Sequence, residues 1–593
     1  MKNENSPIPQ VPQEITLHYD VPCRLKDGSV LYADIARPAG AGRWPVMLTR
    51  TPYNKAQASA VMIDLATTAR LGYVAIVQDT RNRGVSTGEG EFVPWLHEAD
   101  DGSETVAWAA SLPYSNGQVF MTGASYLGFT QWAAASRQPP ALCGINPIMA
   151  PGYHRGSMIY RGGVVELEAN AFWWTMMGFE MLMRRKWENP ADMQSALASH
   201  MAIFDSFWKN GGLESLPLGE FGPLAQGPLA DIILGLFQED HTGPNMTATA
   251  NTQRYENISI PALVVGGWYD FFIQSTIDQF VGMRARAATP EARDRTRLIV
   301  GPWGHQPPWG NLTGEVASAM SGAITALDPN GASGLAARYY TGLQADPDGT
   351  APVKIWVMGA EVWRDEQEWP IARTQIVPWY LDSGGDARSS RGDGVISPEQ
   401  PTGGSDDFAY DPANPVPTRG GSVLGITNVT GSRDQHAIEA RDDVLVYTSS
   451  ALADDMEVTG TPVMELWATT DVVDTDFVAR LVDVHPDGRA MLVTDGIIRA
   501  RYRNDPDSFQ CAPPLEPGQP TLFRIKLLPT SYQFKKGHSL RVDVTSSCFP
   551  RWARNLNIWD EWGGTLADAK IAHQRVLHDA AHPSRIMLPI IPS

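Results

Sequence analysis

The stretch Gln118-Val119-Phe120-Met121-Thr122-Gly123-Ala124-Ser125-Tyr126-Leu127-Gly128 constrains the fold more than any other in this chain. Residues 118–121 read as a short buried strand. Phe129, Trp132 and Ala133 then share one helical face, so strand passes into helix through a few small residues. A serine pinched there sits on a sharp bend, its hydroxyl held clear of the sheet and the free N–H groups of the new helix beside it. Those are the requirements of a nucleophile elbow. The usual spacing is Gly-x-Ser-x-Gly. Here the second glycine comes one position late, at Gly128, and Leu127 stands in its usual place. A plain strand-to-helix turn fits the same letters, so the partners have to decide.

The chain before the elbow alternates strand and helix signals. Residues 15–19 and 29–33 read as two antiparallel strands around the turn Lys26-Asp27-Gly28, and residues 45–50 as a continuous apolar strand. A helix with Val61, Met62, Leu65, Ala66 and Ala69 on one face follows, stopped by Gly72. Residues 73–77 form the next buried strand, and Asp101 is the expected N-cap of another helix. This alternation implies a parallel sheet with helices on both faces, an α/β architecture. The sheet resumes with residues 261–265, running into Gly266-Gly267-Trp268-Tyr269-Asp270, and with residues 297–300, running into Gly301-Pro302-Trp303-Gly304-His305. In an open parallel sheet the functional residues collect at such carboxyl ends, which puts Asp270 and His305 at the edge that carries Ser125.

Between these halves the texture is helical and rich in methionine and aromatics: Phe172, Trp173, Trp174, Met176, Met177, Met181, then Phe204, Phe207 and Trp208. A subdomain core accounts for such residues, and a cap over an apolar ligand needs the same types. Beyond about residue 370 a Gly, Ser, Asp and Pro-rich stretch, 383–421, reads as an extended connector. Alternating β-branched runs follow at 444–447, 463–467, 477–484, 522–525 and 540–544, the sign of an antiparallel sandwich. The expected organisation is therefore 1–151 and 257–370 as two parts of one α/β domain, 152–256 as an inserted cap, and 371–593 as connector plus β-sandwich.

Ser125, Asp270 and His305 stand in the Ser…Asp…His order of α/β-hydrolases. Acyl transfer needs a serine made basic by an imidazole, a carboxylate that fixes the imidazole's tautomer, and donors for the oxyanion. Singly, a loop aspartate is a turn former and a lone histidine is structural; each at the end of its own strand, they form a triad. The backbone N–H of Tyr126 is one candidate oxyanion donor. Tyr53, in the loop after the earlier strand, is either a second donor through its phenol or a packed tyrosine. Trp173, Trp174, Trp268, Phe271, Phe272 and Trp303 are the expected substrate-binding residues. Asp79, Arg81 and Arg83 read as a loop brace beneath the elbow.

Taken together, Arg50-Thr51-Pro52-Tyr53, Asp79-Thr80-Arg81 with Gly84, Gly123-Ala124-Ser125-Tyr126-Leu127-Gly128, Gly267-Trp268-Tyr269-Asp270 and Gly301-Pro302-Trp303-Gly304-His305 resemble the cocaine esterase and X-Pro dipeptidyl-peptidase family of serine hydrolases. Tyr410-Asp411-Pro412 and His582-Pro583-Ser584 extend the resemblance to nearly the whole chain. The late glycine at Gly128 is normal in that family. The resemblance implies an α/β-hydrolase fold with an inserted helical cap and a C-terminal jelly roll of the galactose-binding-like kind. It also implies Ser125 as nucleophile with Asp270 and His305, and an oxyanion hole of Tyr53 OH and Tyr126 N–H. Members are often homodimers, and no motif here demonstrates one. Relatives that hydrolyse α-amino acid esters carry extra acids just after the triad aspartate; here Phe271, Phe272, Ile273 and Gln274 follow Asp270. An ammonium left unpaired in an apolar site is costly. The expected substrate is thus an ester with an uncharged, bulky or aromatic acyl group, with amidase, acylase or dipeptidyl-peptidase chemistry as the alternative. A ligand- or carbohydrate-binding protein on a hydrolase scaffold is the non-enzyme alternative.

Composition narrows the rest. A net charge of −19 over 593 residues argues against a nucleic-acid partner. No apolar run reaches the roughly 20 residues of a membrane span, and the first residues lack the apolar core of a signal peptide, so a cytoplasmic protein is expected. Cys23, Cys143, Cys511 and Cys548 lack metal-ligand spacing and read as free thiols. His573, His578 and His582 read as sandwich residues rather than a metal site, and no phosphate loop or dinucleotide fingerprint implies a cofactor.

Overall fold

The strand and helix alternation of the first half resolves into one ten-stranded sheet. The computed structural model describes residues 14–592 apart from 62, 153, 209–211, 226–228, 239–242, 308, 345–350 and 507–509. The N-terminal segment read for a leader, and Met62, lie outside the described residues, as does the side chain of Trp208.

β1 (Ile15–Arg24) and β2 (Val30–Pro38) form the expected hairpin, and β2 pairs antiparallel with β4 (Val74–Asp79). From there the order is β4, β3 (Trp44–Thr51), β5 (Ser115–Ala124), β6 (Leu142–Ile148), β9 (Leu263–Tyr269), β10 (Arg297–Gly304) and β13 (Val353–Val357), all parallel. The antiparallel β14 (Val362–Glu366) closes that edge, and two short hairpins, β7–β8 (Tyr160–Arg161, Val164–Val165) and β11–β12 (Leu312–Thr313, Val316–Ala317), lie outside the sheet. Because helices cover both faces, the central strands are apolar throughout rather than alternating. Val46, Leu48, Val74, Ile76, Val119 and Met121 are fully buried in one cluster, each contributing about 1.5–3 kcal/mol.

Two local expectations change. The helix expected across 61–69 is two helices, α1 (Lys55–Val61) and α2 (Leu65–Arg70), because the Asp64 side chain accepts from Thr67 N at 2.9 Å and starts a new one. Asp101 is not an N-cap: α3 (Glu98–Ser111) begins at Glu98, and Asp101 is taken by Arg81 at 2.6 Å.

The segment between β6 and β9 is helical, led by α5 (Leu167–Arg184) and α6 (Pro190–Trp208). Its apolar cluster joins Trp174, Met177, Leu182 and Phe237 to Leu127 and Phe129 of the elbow helix, α4 (Tyr126–Ala135), so it sits over the carboxyl ends of the strands.

The strands from β15 (Gln375–Asp382) to β27 (Arg585–Ile591) build the C-terminal jelly roll around Leu466, Phe477, Phe523, Val542 and Ile586. The stretch 383–421 is not a bare connector. It contains β16 (Val395–Ser397) and β17 (Ser405–Tyr410), and β17 pairs with β26 (Ala572–Leu577) because Phe408 and Tyr410 alternate with exposed neighbours and enter the core. This domain touches both the α/β domain and the inserted cap segment. Gln533 N donates to Met358 O at 2.8 Å beside the main sheet, and Arg499 N to Gly162 O at 2.9 Å in the β7–β8 turn. Gly162 has φ +55, and a Cβ there would lie 1.9 Å from Ile497 O, so only glycine lets the two segments approach. Among the described residues no helix is long and apolar enough to cross a membrane.

Candidate active site

Ser125, Asp270 and His305 each immediately follow a strand: β5, β9 and β10. The sheet therefore delivers all three to one edge. Ser125 is held at φ 59, ψ −127, a strained conformation that aims its hydroxyl outward, and its N–H donates to Ile148 O at 2.9 Å. Gly123 precedes it because a Cβ there would meet Leu127 Cβ at 2.7 Å. The late Gly128 has an equally specific reason: a Cβ would meet Ala150 Cβ at 2.6 Å, where α4 packs on the loop leaving β6. Leu127 is accommodated because it points into the cap cluster.

His305 Nε2 lies 3.0 Å from Ser125 Oγ, and His305 Nδ1–H donates to Asp270 Oδ1 at 2.7 Å. Asp270 is fully buried. Phe271 and Phe272 pack on the imidazole with centroids 4.8 and 5.3 Å away, shielding the His–Asp pair from water. The aromatic residues after Asp270 thus form a dry wall beside the imidazole.

Two groups beside the serine are the candidate oxyanion donors. Tyr126 is the first residue of α4, where a backbone N–H has no intrahelical partner. Its ring is anchored from both sides of the hydroxyl: the phenol donates to Glu98 Oε1 at 2.9 Å and accepts from Trp95 N at 2.9 Å. Glu98 in turn pairs with Arg50 Nη1 at 2.7 Å, a buried brace under the elbow that the sequence reading missed. Tyr53 lies just past β3, its loop held by Arg83 Nε donating to Pro52 O at 2.7 Å. Trp173 Nε1–H donates to the Tyr53 phenol oxygen at 3.0 Å. Burial pushes the Tyr53 phenol up to about 12, with the hydrogen bonds it shares with Trp173 and Ser125 acting the other way. Tyr53 is a protonated donor at neutral pH. Arg81, paired with Asp101 and Asp27, braces the loop after β4 and does not reach the serine's cavity.

Ser125, His305 and Tyr53 open into a cavity of about 640 Å³. Of the expected substrate-binding residues, Trp173, Phe271 and Phe272 line it. Trp174, Trp268 and Trp303 do not. Trp174 is turned into the cap core, edge-on to Trp95 at 6.4 Å. Trp268 and Trp303 belong to the strands rather than to the loops beyond them; they are buried on the sheet, donating to Trp356 O at 2.7 Å and Gly322 O at 2.9 Å. Leu424 and Ile426, from the C-terminal part, complete the wall. Nothing in the sequence marked them, and their loop is fastened to the cap by Thr427 N donating to Glu168 Oε1 at 2.7 Å. Glu180 is the one carboxylate among the described lining residues, and it is engaged by Arg83 at 2.8 Å and Gly84 N at 2.6 Å. His573, His578 and His582 pair with separate carboxylates, Asp471, Asp406 and Asp579.

A family model described as X-Pro dipeptidyl-peptidase (S15 family) matches residues 27–307, and one described as the X-Pro dipeptidyl-peptidase C-terminal non-catalytic domain matches 346–587. Cocaine esterase of Rhodococcus sp. is 34% identical over 581 residues, spanning 96% of this chain and 97% of that protein. The chain belongs to the cocaine esterase and X-Pro dipeptidyl-peptidase family. Like the esterases of that family it is a serine hydrolase of carboxylesterase type. Among solved structures it is similar to an aminopeptidase of a marine sediment Thaumarchaeota archaeon, with TM-score 0.77 and 22% identity over 98% of this chain and 97% of that one. It is also similar to an α-amino acid ester hydrolase, with TM-score 0.75 and 22% identity over the full length of both. At these identities the likeness is one of fold.

Proposed function

We propose that the protein hydrolyses carboxylic esters of uncharged, bulky acyl groups through a Ser125–His305–Asp270 triad and a covalent acyl-enzyme. The observation that carries this reading is the relay itself: Ser125 Oγ to His305 Nε2 at 3.0 Å and His305 Nδ1 to Asp270 at 2.7 Å, opening into an apolar cavity.

Ser125 Oγ attacks the ester carbonyl carbon as its proton passes to His305 Nε2. The negative charge gathers on the former carbonyl oxygen and meets the Tyr126 N–H and the Tyr53 phenol. Asp270 stabilises the imidazolium and keeps the ring in the tautomer that presents Nε2. Collapse breaks the C–O bond, and His305 returns its proton to the leaving alcohol. Water, deprotonated by the same imidazole, then attacks the acyl-enzyme and releases the acid.

Substrate polarity follows from the cavity wall. Among the described lining residues a substrate ammonium would find the Glu180 carboxylate alone, already engaged by Arg83 and Gly84, and so would lose hydration without gaining a partner. The test compares p-nitrophenyl 3-phenylpropionate with the p-nitrophenyl ester of phenylalanine, which differ by one ammonium, and includes phenylalanine p-nitroanilide. The neutral ester should be favoured in kcat/KM by on the order of tenfold or more, with the anilide slowest. Preference for the charged ester would contradict the acyl assignment, and faster anilide turnover would favour amide chemistry on the same triad.

A further inference from the structure

One end of the C-terminal jelly roll brings together three side chains that the hydrolytic reaction does not use. Asp483 lies near the end of β21 (Asp476–Val484), His485 opens the turn to β22 (Ala490–Arg499), and His538 directly precedes β25 (Ser539–Thr545). β21 pairs with β25 through Asp483↔Leu540 and Val484↔Ser539, so the His538 loop runs alongside the turn. That turn is closed by His485 N donating to Arg489 O at 2.8 Å. Paired backbone, rather than loose loop, therefore holds the three groups.

Their spacing is that of ligands around one ion. His538 Nδ1 is 2.9 Å from each oxygen of Asp483, and His485 Nε2 is 3.4 Å from Asp483 Oδ2. Neighbouring ligands on a zinc-like ion with bonds near 2.0–2.1 Å are ~2.9 Å apart at right angles and ~3.4 Å apart in a tetrahedron. One ligand atom from each of the three residues lies within 4.8 Å of the others. A simple ion pair accounts for His538 alone. It does not account for a second imidazole turned to the same carboxylate oxygen with its ring centroid 4.4 Å from the first, an arrangement that is repulsive if both rings are charged. Tyr532 OH donates to Asp483 Oδ2 at 2.8 Å, the kind of outer hydrogen bond that orients a ligating carboxylate. Asp483 is buried at 2% side-chain exposure while His485 retains 23%, so the group has a fixed base and an open side for entry and for water.

We propose that Asp483, His485 and His538 bind a divalent transition-metal ion of the zinc class, with water completing its coordination. Two imidazoles and one carboxylate favour zinc or copper over magnesium or calcium, which prefer all-oxygen sets. Ligation through His485 Nε2 requires the proton on Nδ1. Arg489, whose Nη2 stands 3.4 Å from that nitrogen, then turns to Asp487, with which it already pairs at 2.9 Å. The ion ties the β21–β22 turn to the loop before β25. Through Tyr532, which also packs against the core of the hydrolase sheet, it braces the seam between the two domains.

The test is calorimetric titration of the full chain, stripped with EDTA and desalted, with zinc chloride at about pH 7.5, where imidazole is neutral. One saturable equivalent is expected, with a rise in melting temperature. His485→Gln, at the exposed turn, should weaken binding by about 100-fold or more, and Tyr532→Phe by about tenfold. Ester turnover of the metal-free variants should equal that of the metal-free parent, which certifies their folding. Absence of saturable binding below about 1 mM would overturn the proposal. So would one-equivalent binding retained unchanged in both His485→Gln and His538→Gln, which would put the ion elsewhere, as at His305.

Discussion

Removing the Tyr53 hydroxyl tests the geometry of the proposed oxyanion hole. In the structure the phenol oxygen accepts from Trp173 Nε1 at 3.0 Å, which leaves its single proton for whatever develops charge beside Ser125. Burial holds the group protonated up to about 12, so it donates across the working pH range. Tyr53→Phe keeps the ring and its edge-to-face contact with Tyr126 at 6.4 Å, and deletes only the donor. Loss of one preorganised oxyanion donor costs about 2.7–4 kcal/mol, or roughly a hundred- to a thousandfold in kcat. The assay is steady-state hydrolysis of p-nitrophenyl butyrate beside thermal melting, with KM expected to change little because the bond matters in the transition state. Trp173→Phe gives a second arm. It removes the donor that orients the phenol, so it should cost roughly 2–12-fold, a neutral hydrogen bond's worth, and almost nothing further in the Tyr53→Phe background. A Tyr53→Phe enzyme within twofold of the parent would refute the assignment, and additive losses would refute the coupling to the cap.

Arg81→Ala breaks an ion pair whose partner Asp101 is buried and should cost about 3–5 kcal/mol in urea denaturation with turnover per folded molecule retained; normal melting with severely reduced turnover would contradict this. Gly128→Ala should destabilise by about 1–3 kcal/mol despite alanine's better helix propensity, since its Cβ would stand 2.6 Å from Ala150 Cβ; equal or higher denaturation midpoints would refute the packing argument. Burial pushes the Asp79 carboxyl up to about 6, against hydrogen bonds from Val85 N and Lys55 N. The folded state therefore binds this proton more tightly than the unfolded chain, and the group's stability contribution is present at low pH and lost as pH rises through about 6. Relative to Asp79→Asn, the parent should gain about 1.4 kcal/mol between about pH 7.5 and pH 5; a gap that stays constant would contradict it.

The elements that were legible in the sequence are those whose position is fixed by strand endings. Ser125, Asp270 and His305 could be found because each directly follows an apolar strand, and parallel strands send their carboxyl ends to one edge. Trp268 and Trp303 lie two residues earlier on the same segments, and that places them inside strands, where side chains enter the sheet's own packing rather than the cavity. Trp173 and Trp174 are adjacent on α5, so they point about 100° apart and only one can face the serine; periodicity marks the apolar stripe but not which neighbour it meets. Leu424 and Ile426 reach the cavity through tertiary packing of a loop with no periodicity of its own. The Arg50–Glu98 brace was hidden because its members lie on separate elements and carry no local pattern.

Whether Ser125 is the nucleophile of an ester hydrolase is decided by intact-protein mass spectrometry after treatment with a fluorophosphonate, for the parent beside Ser125→Ala. A single adduct on the parent, absent from the variant and accompanied by loss of p-nitrophenyl butyrate hydrolysis, is the predicted result. No adduct on the parent, or an adduct retained by the variant, would contradict it.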